Sequence, residues 1–158
     1  MAYFVDQAAV GIPGEIHTTQ QNDLGAVRKC SDGNSYIYLK GVASTVDGSM
    51  VVFSQGTWQT ALLATGLRGE LAIATAATVA STWGWYTYIG RDVAIARSAI
   101  ASNVPLYAGG VSGSPDDVAV KGDQLMNCYA VNAAAGGGDS TIVVLNRSFI
   151  GMSNESVG

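Results

Sequence analysis

The sequence predicts a mainly β protein: one all-β domain, a barrel or a sandwich, with an extended arm at its N-terminus. Three observations carry that expectation. Short runs of apolar, aromatic and β-branched residues recur along the chain. Turn clusters rich in Gly, Asn and Asp separate them about every 8–12 residues, a spacing that suits barrels and sandwiches. Only one stretch, residues 74–82, has any helical character, and it has room for one short turn at most.

Residues 1–25 show no clean period of 2 or 3.6. Polar residues dominate from Glu15 to Asp23, and Gly11, Pro13 and Gly14 interrupt any element. We read an arm with apolar anchors at Tyr3, Phe4, Val5, Ile12 and Ile16, of the kind that a partner orders. An edge strand and loop laid on the chain's own domain is the other reading. On the arm reading, deleting residues 1–20 leaves the domain folded.

From Ala26 the text becomes β. Residues 26–30 form a candidate strand and 31–34 a turn cluster. Residues 36–40 follow, with Ile37 and Leu39 alternating against Tyr36, Tyr38 and Lys40. Asp47-Gly48 is a hairpin signal before a strand at 50–53. Gln55-Gly56 is a further turn. Leu71 and Ile73 alternate with Glu70, Ala72 and Ala74, as in a half-buried strand. Alanine favours helix over 74–82, while Thr and Val favour strand.

Residues 83–89 are the strongest strand, with Trp83, Trp85 and Ile89 on one face and Tyr86 and Tyr88 on the other. Gly90-Arg91-Asp92 breaks it, and 93–96 resumes. A short strand at 105–108 precedes a loop at 112–117. The last strands are 124–131 and 141–146, joined by an Ala/Gly loop at 133–138. The β domain then spans 26–150, and 151–158 form a C-terminal tail.

Composition points to assembly. Charged residues make up 13% of the 158, against about 25% in typical domains. Gly, Ala, Ser and Thr replace them. With 8 basic and 12 acidic residues to cover the surface, part of that surface is expected to be covered by other chains. The net charge is −4 and no run of Lys or Arg exists, so nucleic acid is not an expected partner. No basic-then-apolar leader is seen, and the apolar stretch 60–82 is interrupted by Gly66, Arg68, Gly69 and Glu70. Neither secretion nor a membrane is expected. Cys30 and Cys128 read as buried thiols of a cytoplasmic protein.

No residue stands out as catalytic, and neither a cofactor nor a metal is expected. The single histidine, His17, lies in a polar segment and reads as a solvated side chain. No HExxH, CxxC or His–Cys cluster occurs. Asp116 and Asp117 are adjacent in extended text and point apart, so they do not make a paired-carboxylate site; a calcium site there is the lesser reading, and EF-hand spacing is absent. Gly136-Gly137-Gly138-Asp139 lacks the lysine of a phosphate-binding loop. The aromatic group rises above background. Trp83 and Trp85 read as core, and for Tyr86 and Tyr88, on the opposite face, an interface with another chain stands beside the core reading.

The order of these signals resembles the small capsid decoration (cement) proteins of tailed bacteriophages. The resemblance runs over about residues 25–150. It is carried by Tyr36-Ile37-Tyr38-Leu39-Lys40-Gly41-Val42-Ala43, Asp47-Gly48-Ser49-Met50-Val51-Val52-Phe53 and Trp83-Gly84-Trp85-Tyr86-Thr87-Tyr88-Ile89-Gly90. Val104-Pro105-Leu106-Tyr107-Ala108, Gly122-Asp123 and Thr141-Ile142-Val143-Val144-Leu145-Asn146 complete it. It implies a β-barrel or β-tulip-like domain, a homotrimer, and a place on the outer surface of an icosahedral head. There the protein would clamp neighbouring major capsid proteins, after synthesis in the host cytoplasm. It implies no catalytic residue. Residues 1–25 lie outside the resemblance; on the arm reading, losing residues 1–20 weakens attachment to the head. The alternatives are a head fibre or a receptor- or carbohydrate-binding virion module, and a small β-fold enzyme such as a trimeric nucleotide hydrolase.

Overall fold

A computed structural model describes residues 2–5 and 9–151; the expected C-terminal tail beyond Gly151 lies outside the described residues. The protein is all-β, and the described residues contain no helix. Eleven strands follow in chain order: β1 (Ile16–His17), β2 (Val27–Lys29), β3 (Ser35–Lys40), β4 (Met50–Phe53), β5 (Thr60–Leu62), β6 (Glu70–Ala74), β7 (Trp83–Ala96), β8 (Pro105–Ala108), β9 (Pro115–Asp116), β10 (Gln124–Ala130) and β11 (Asp139–Gly151). The main path through the sheet is β2-β3-β7-β6-β11-β10-β8-β9. Its two ends do not pair with each other, so the sheet is open and the closed form of an expected barrel is not reached.

The centre is a wall made by β4 and β6, paired antiparallel from Met50↔Ile73 to Phe53↔Glu70. Period 2 sends successive side chains to opposite faces. Met50, Val52, Leu71 and Ile73 enter one core, while Val51, Phe53, Ala72 and Ala74 enter another. The continuous apolar text of both strands is explained by this double burial. Leu71, Ala72, Ile73 and Ala74, expected in a half-buried strand, are therefore buried on both faces, and Glu70 is half-buried. Ala74 stands opposite the large ring of Tyr86, and Ala72 stands opposite Val51.

On one side of the wall lies an aromatic lobe. It gathers Ile37 and Leu39 of β3 and Tyr86 and Tyr88 of β7 around Phe53 and Val51. The lobe curls until Gln59 meets Lys40 in a parallel bridge, where Lys40 N donates to Trp58 O at 3.0 Å. On the other side lies an aliphatic lobe, built from Leu106, Leu125, Val143 and Leu145 with Ala94, Ala96, Ala108 and Ala130. Its buried cluster contains no aromatic ring.

β7 passes through both lobes as one 14-residue strand, where two strands and a break were expected. The bend falls at Gly90, with φ +120°. Asn34 mends it: its Nδ2 donates to Arg91 O and its Oδ1 accepts from Arg91 N, both at 3.0 Å. A side-chain amide thus replaces a strand neighbour. A Cβ at Gly90 would overlap that amide. The bend is needed because β6, β7 and β11 all pair antiparallel with one another, which no flat sheet allows. β11 turns likewise at Arg147, with φ +49°.

The N-terminal segment forms a third layer, and here the arm expectation is corrected. Trp85, Tyr36 and Tyr38 occupy the outer face of β3 and β7 beside Cys30, and Ala2, Phe4, Ala9, Leu24 and Ala26 pack over them. Trp85 Nε1 donates to Val10 O at 3.0 Å. Gly14 N donates to Thr75 Oγ1 at 3.0 Å, and β1 pairs with β7 at Ile16↔Gly84. The described part of residues 1–25 folds back on its own domain because those aromatic faces would otherwise meet water. Their removal is accordingly no longer expected to leave the domain intact.

Candidate interaction surface

The outermost backbone at the β2 end belongs to residues 3–5. Val5 N donates to Lys29 O at 3.0 Å and Ser31 N to Tyr3 O at 2.8 Å, and Phe4 bridges Cys30. Strand alternation then sorts the side chains. Phe4 turns inward, its ring 4.5 Å from Trp85 and 5.9 Å from Tyr36. Tyr3 and Val5 turn outward and are 62% and 63% exposed. Phe4's own N–H and C=O face away from Cys30, with no hydrogen-bond partner among the described residues. This is an open sheet edge flanked by apolar side chains. The same layer exposes Val10, Ile16 and Val27.

Of the residues expected at an interface, Tyr3, Val5 and Ile16 are therefore at the surface, and Phe4 and Ile12 are half-buried. Tyr86 and Tyr88 are not available to a partner: they are 1% and 4% exposed. The two-face reading of their strand holds for Trp83, Trp85, Tyr86 and Tyr88, while Ile89, expected on the Trp face, packs with the Tyr side; the wall of β4 and β6 covers that side. Tyr86 OH lies 2.7 Å from Thr78 Oγ1. Tyr88 OH donates to Glu70 Oε1 at 2.7 Å. Burial and the neighbouring Glu70 carboxylate push the Tyr88 hydroxyl up to about 12.

His17 is corrected too. Its side chain is 11% exposed, and Nδ1 lies 2.7 Å from Tyr38 OH, which also accepts from Gln21 N at 3.2 Å. Burial raises the Tyr38 pKa. The pair pins β1 to β3. Asp116 and Asp117 diverge as expected: one accepts from Val118 N at 3.1 Å, the other from Ala101 N at 2.8 Å. Both cysteines are buried and free, and burial pushes the Cys128 thiol up to about 12. Residues 136–138 form the hairpin loop before β11, closed by Asp139, which accepts from Ala135 N and Ser140 N at 2.9 Å each.

One feature escaped sequence reasoning. Trp58, set among polar residues, has φ +54°, rare for a bulky side chain. Its six-membered ring presses on Gly25, where a Cβ would come within 2.6 Å. The signal in the sequence was a lone indole in a turn.

No helix of the described residues is long and apolar enough to cross a membrane. No protein-family model, curated protein or solved structure matches the chain.

Proposed function

We propose that this chain is a structural virion protein that binds the outer surface of an icosahedral phage head, as a homotrimer, and clamps neighbouring major capsid proteins. The observation that carries the reading is the uncharged edge at residues 3–5, with Tyr3 and Val5 exposed on either side of inward Phe4. An open edge is a template for pairing with another chain, and soluble domains normally blunt it with charge or proline. Residues 2–5, Ala-Tyr-Phe-Val, carry neither. A head-to-tail contact repeated around a three-fold axis closes into a ring and hides every such edge. The low overall charge suits close packing of copies. On a shell, many modest contacts act together, so the lattice gains stability that no single contact supplies.

The test is co-sedimentation of the purified chain with expanded heads that lack it, followed by a heat challenge. The reading expects saturable binding at a copy number matching a symmetry axis, and heads that survive higher temperature. A Tyr3→Lys/Val5→Lys variant should stay folded and bind weakly. Heads of the cognate phage that leave the chain in the supernatant would overturn the proposal.

A further inference from the structure

We infer that the mouth of the aromatic lobe is a binding site for a neutral carbohydrate, centred on Glu70 and Arg147. The inference is independent of the assembly reading and uses a different surface.

The mouth is a cavity of about 170 Å³ lined by Gln55, Trp58, Glu70, Tyr88 and Arg147 over Ile37. These residues come from the turn after β4 and from β6, β7, β11 and β3, so the fold converges them from distant sequence. A wider, shallower depression of about 350 Å³ adjoins it, sharing Gln55 and Glu70 and adding Phe53 and Phe149. Phe149 is exposed there.

Glu70 is held in place from both sides. Oε1 accepts from Tyr88 OH at 2.7 Å and Oε2 from Gln55 Nε2 at 2.9 Å. A carboxylate can accept about four hydrogen bonds, so each oxygen keeps an unused direction. Arg147 stands at the bend of β11, exposed, and its guanidinium makes no hydrogen bond or ion pair among the described residues. Its charge is nonetheless felt at Tyr88. The Trp58 N–H of the indole also has no protein partner among the described residues.

Trp58 is rigid. Its ring lies against Gly25 on one side and stacks at 30° on Phe53, with centroids 6.1 Å apart. Trp58 N donates to Ser54 O at 2.9 Å, and Trp58 O accepts from Lys40 N at 3.0 Å. These bonds hold a left-handed backbone that persists only where its surroundings enforce it. Such strain is common at ligand sites.

The mouth therefore sets a donor, the Arg147 guanidinium, beside acceptors, the tethered Glu70 carboxylate and the Gln55 amide oxygen, with the rigid Trp58 ring in its lining. Vicinal hydroxyls, each both donor and acceptor, match that alternation. One carboxylate and one guanidinium cancel, so a phosphate would meet Glu70 and an ammonium would meet Arg147. A neutral polyol meets neither penalty. The cavity is smaller than the about 300–1,000 Å³ of drug-sized pockets. It suits one sugar ring, with the next laid against Phe149, whose exposed apolar face accepts sugar C–H groups.

The experiment titrates the full ¹⁵N-labelled chain with maltohexaose, cellohexaose, chitohexaose and mannohexaose, each into the millimolar range, and follows amide and indole resonances. Saturable shifts at the Trp58 indole N–H and the Gln55 side-chain amide are expected with at least one of them. Arg147→Ala and Glu70→Gln should each weaken that binding about tenfold, as loss of a charged hydrogen bond does, and leave the remaining spectrum unchanged. The inference is overturned if no oligosaccharide moves the mouth resonances. It is equally overturned if Arg147→Ala binds as tightly as the parent, or if inorganic phosphate produces the same saturable shifts.

Discussion

The two lobes share one wall and pack by different rules. In the aromatic lobe and the layer outside it, large rings carry hydroxyls that must find partners: Tyr86 with Thr78, Tyr88 with Glu70, Tyr38 with His17. Its packing is directional, because a buried hydroxyl without a partner is costly. The aliphatic lobe interlocks Leu, Ile, Val and Ala with no ring among them. Its packing is set by volume alone. Both surfaces with a proposed role, the edge at residues 3–5 and the mouth at Glu70, belong to the directional side. The aliphatic lobe serves as a scaffold that holds the bends of β7 and β11.

That contrast can be broken most severely by deleting residues 1–20. The outer face of Trp85 and Tyr38 would lose its cover. Burying one large apolar side chain contributes about 1.5–3 kcal/mol, and at least Phe4 and part of Trp85 are affected. We expect a loss of at least about 3 kcal/mol in urea unfolding and a red-shifted tryptophan emission. A truncated chain with the parent midpoint would mean that the third layer adds nothing.

Next in size is Leu106→Ala in the aliphatic lobe, where the side chain is 0% exposed. A cavity there should cost about 2–5 kcal/mol without altering tryptophan emission in the native state. A changed spectrum would show that the lobes do not pack independently.

Gly25→Ala attacks the aromatic lobe at its mouth. The residue has φ +78° and touches the Trp58 ring. Overpacking of this kind costs about 1–3 kcal/mol, and the Trp58 indole resonance should move. Should stability and resonance both stay put, the close approach is not rigid.

The smallest effect concerns Asp92 beside the bend of β7, which accepts hydrogen bonds from Thr87 Oγ1 and Val93 N. Burial raises its pKa above 3.8. The folded state then holds its proton more tightly than the unfolded state, so stability falls as pH rises from 3.8 through the folded value. Asp92→Asn removes that term. Its midpoint relative to the parent should be unchanged below pH 3.8 and higher at neutral pH. A gain that shrinks toward neutrality would reverse the sign.

The sequence made some of this legible and hid the rest for physical reasons. β4 and β8 begin and end where apolar text meets turn residues, and local pattern suffices for them. β1, β5 and β9 have two or three residues each, too few to show a period. Gly-Arg-Asp reads as a break because the group that mends it, Asn34, lies 57 residues away. Tyr86 and Tyr88 were assigned to the right face, yet only the tertiary fold says that β4 and β6 cover it. At the edge, the apolar residues were legible, and docking on the chain's own domain stood open beside the arm reading, because only the tertiary fold shows the aromatic faces to be covered. Trp58 was passed over because a left-handed backbone leaves no mark in residue order.

The wall also constrains how this protein can change over generations. Each residue of β4 is assigned to one core or the other by parity alone. Inserting or deleting a single residue there would exchange Phe53 and Val51 with Val52 and Met50, sending bulky groups into sites shaped for slender ones in both lobes at once. Length should therefore be inherited unchanged through β4 and β6, and lineages of this chain should differ in length at the turns on either side, around residues 54–57 and 64–69.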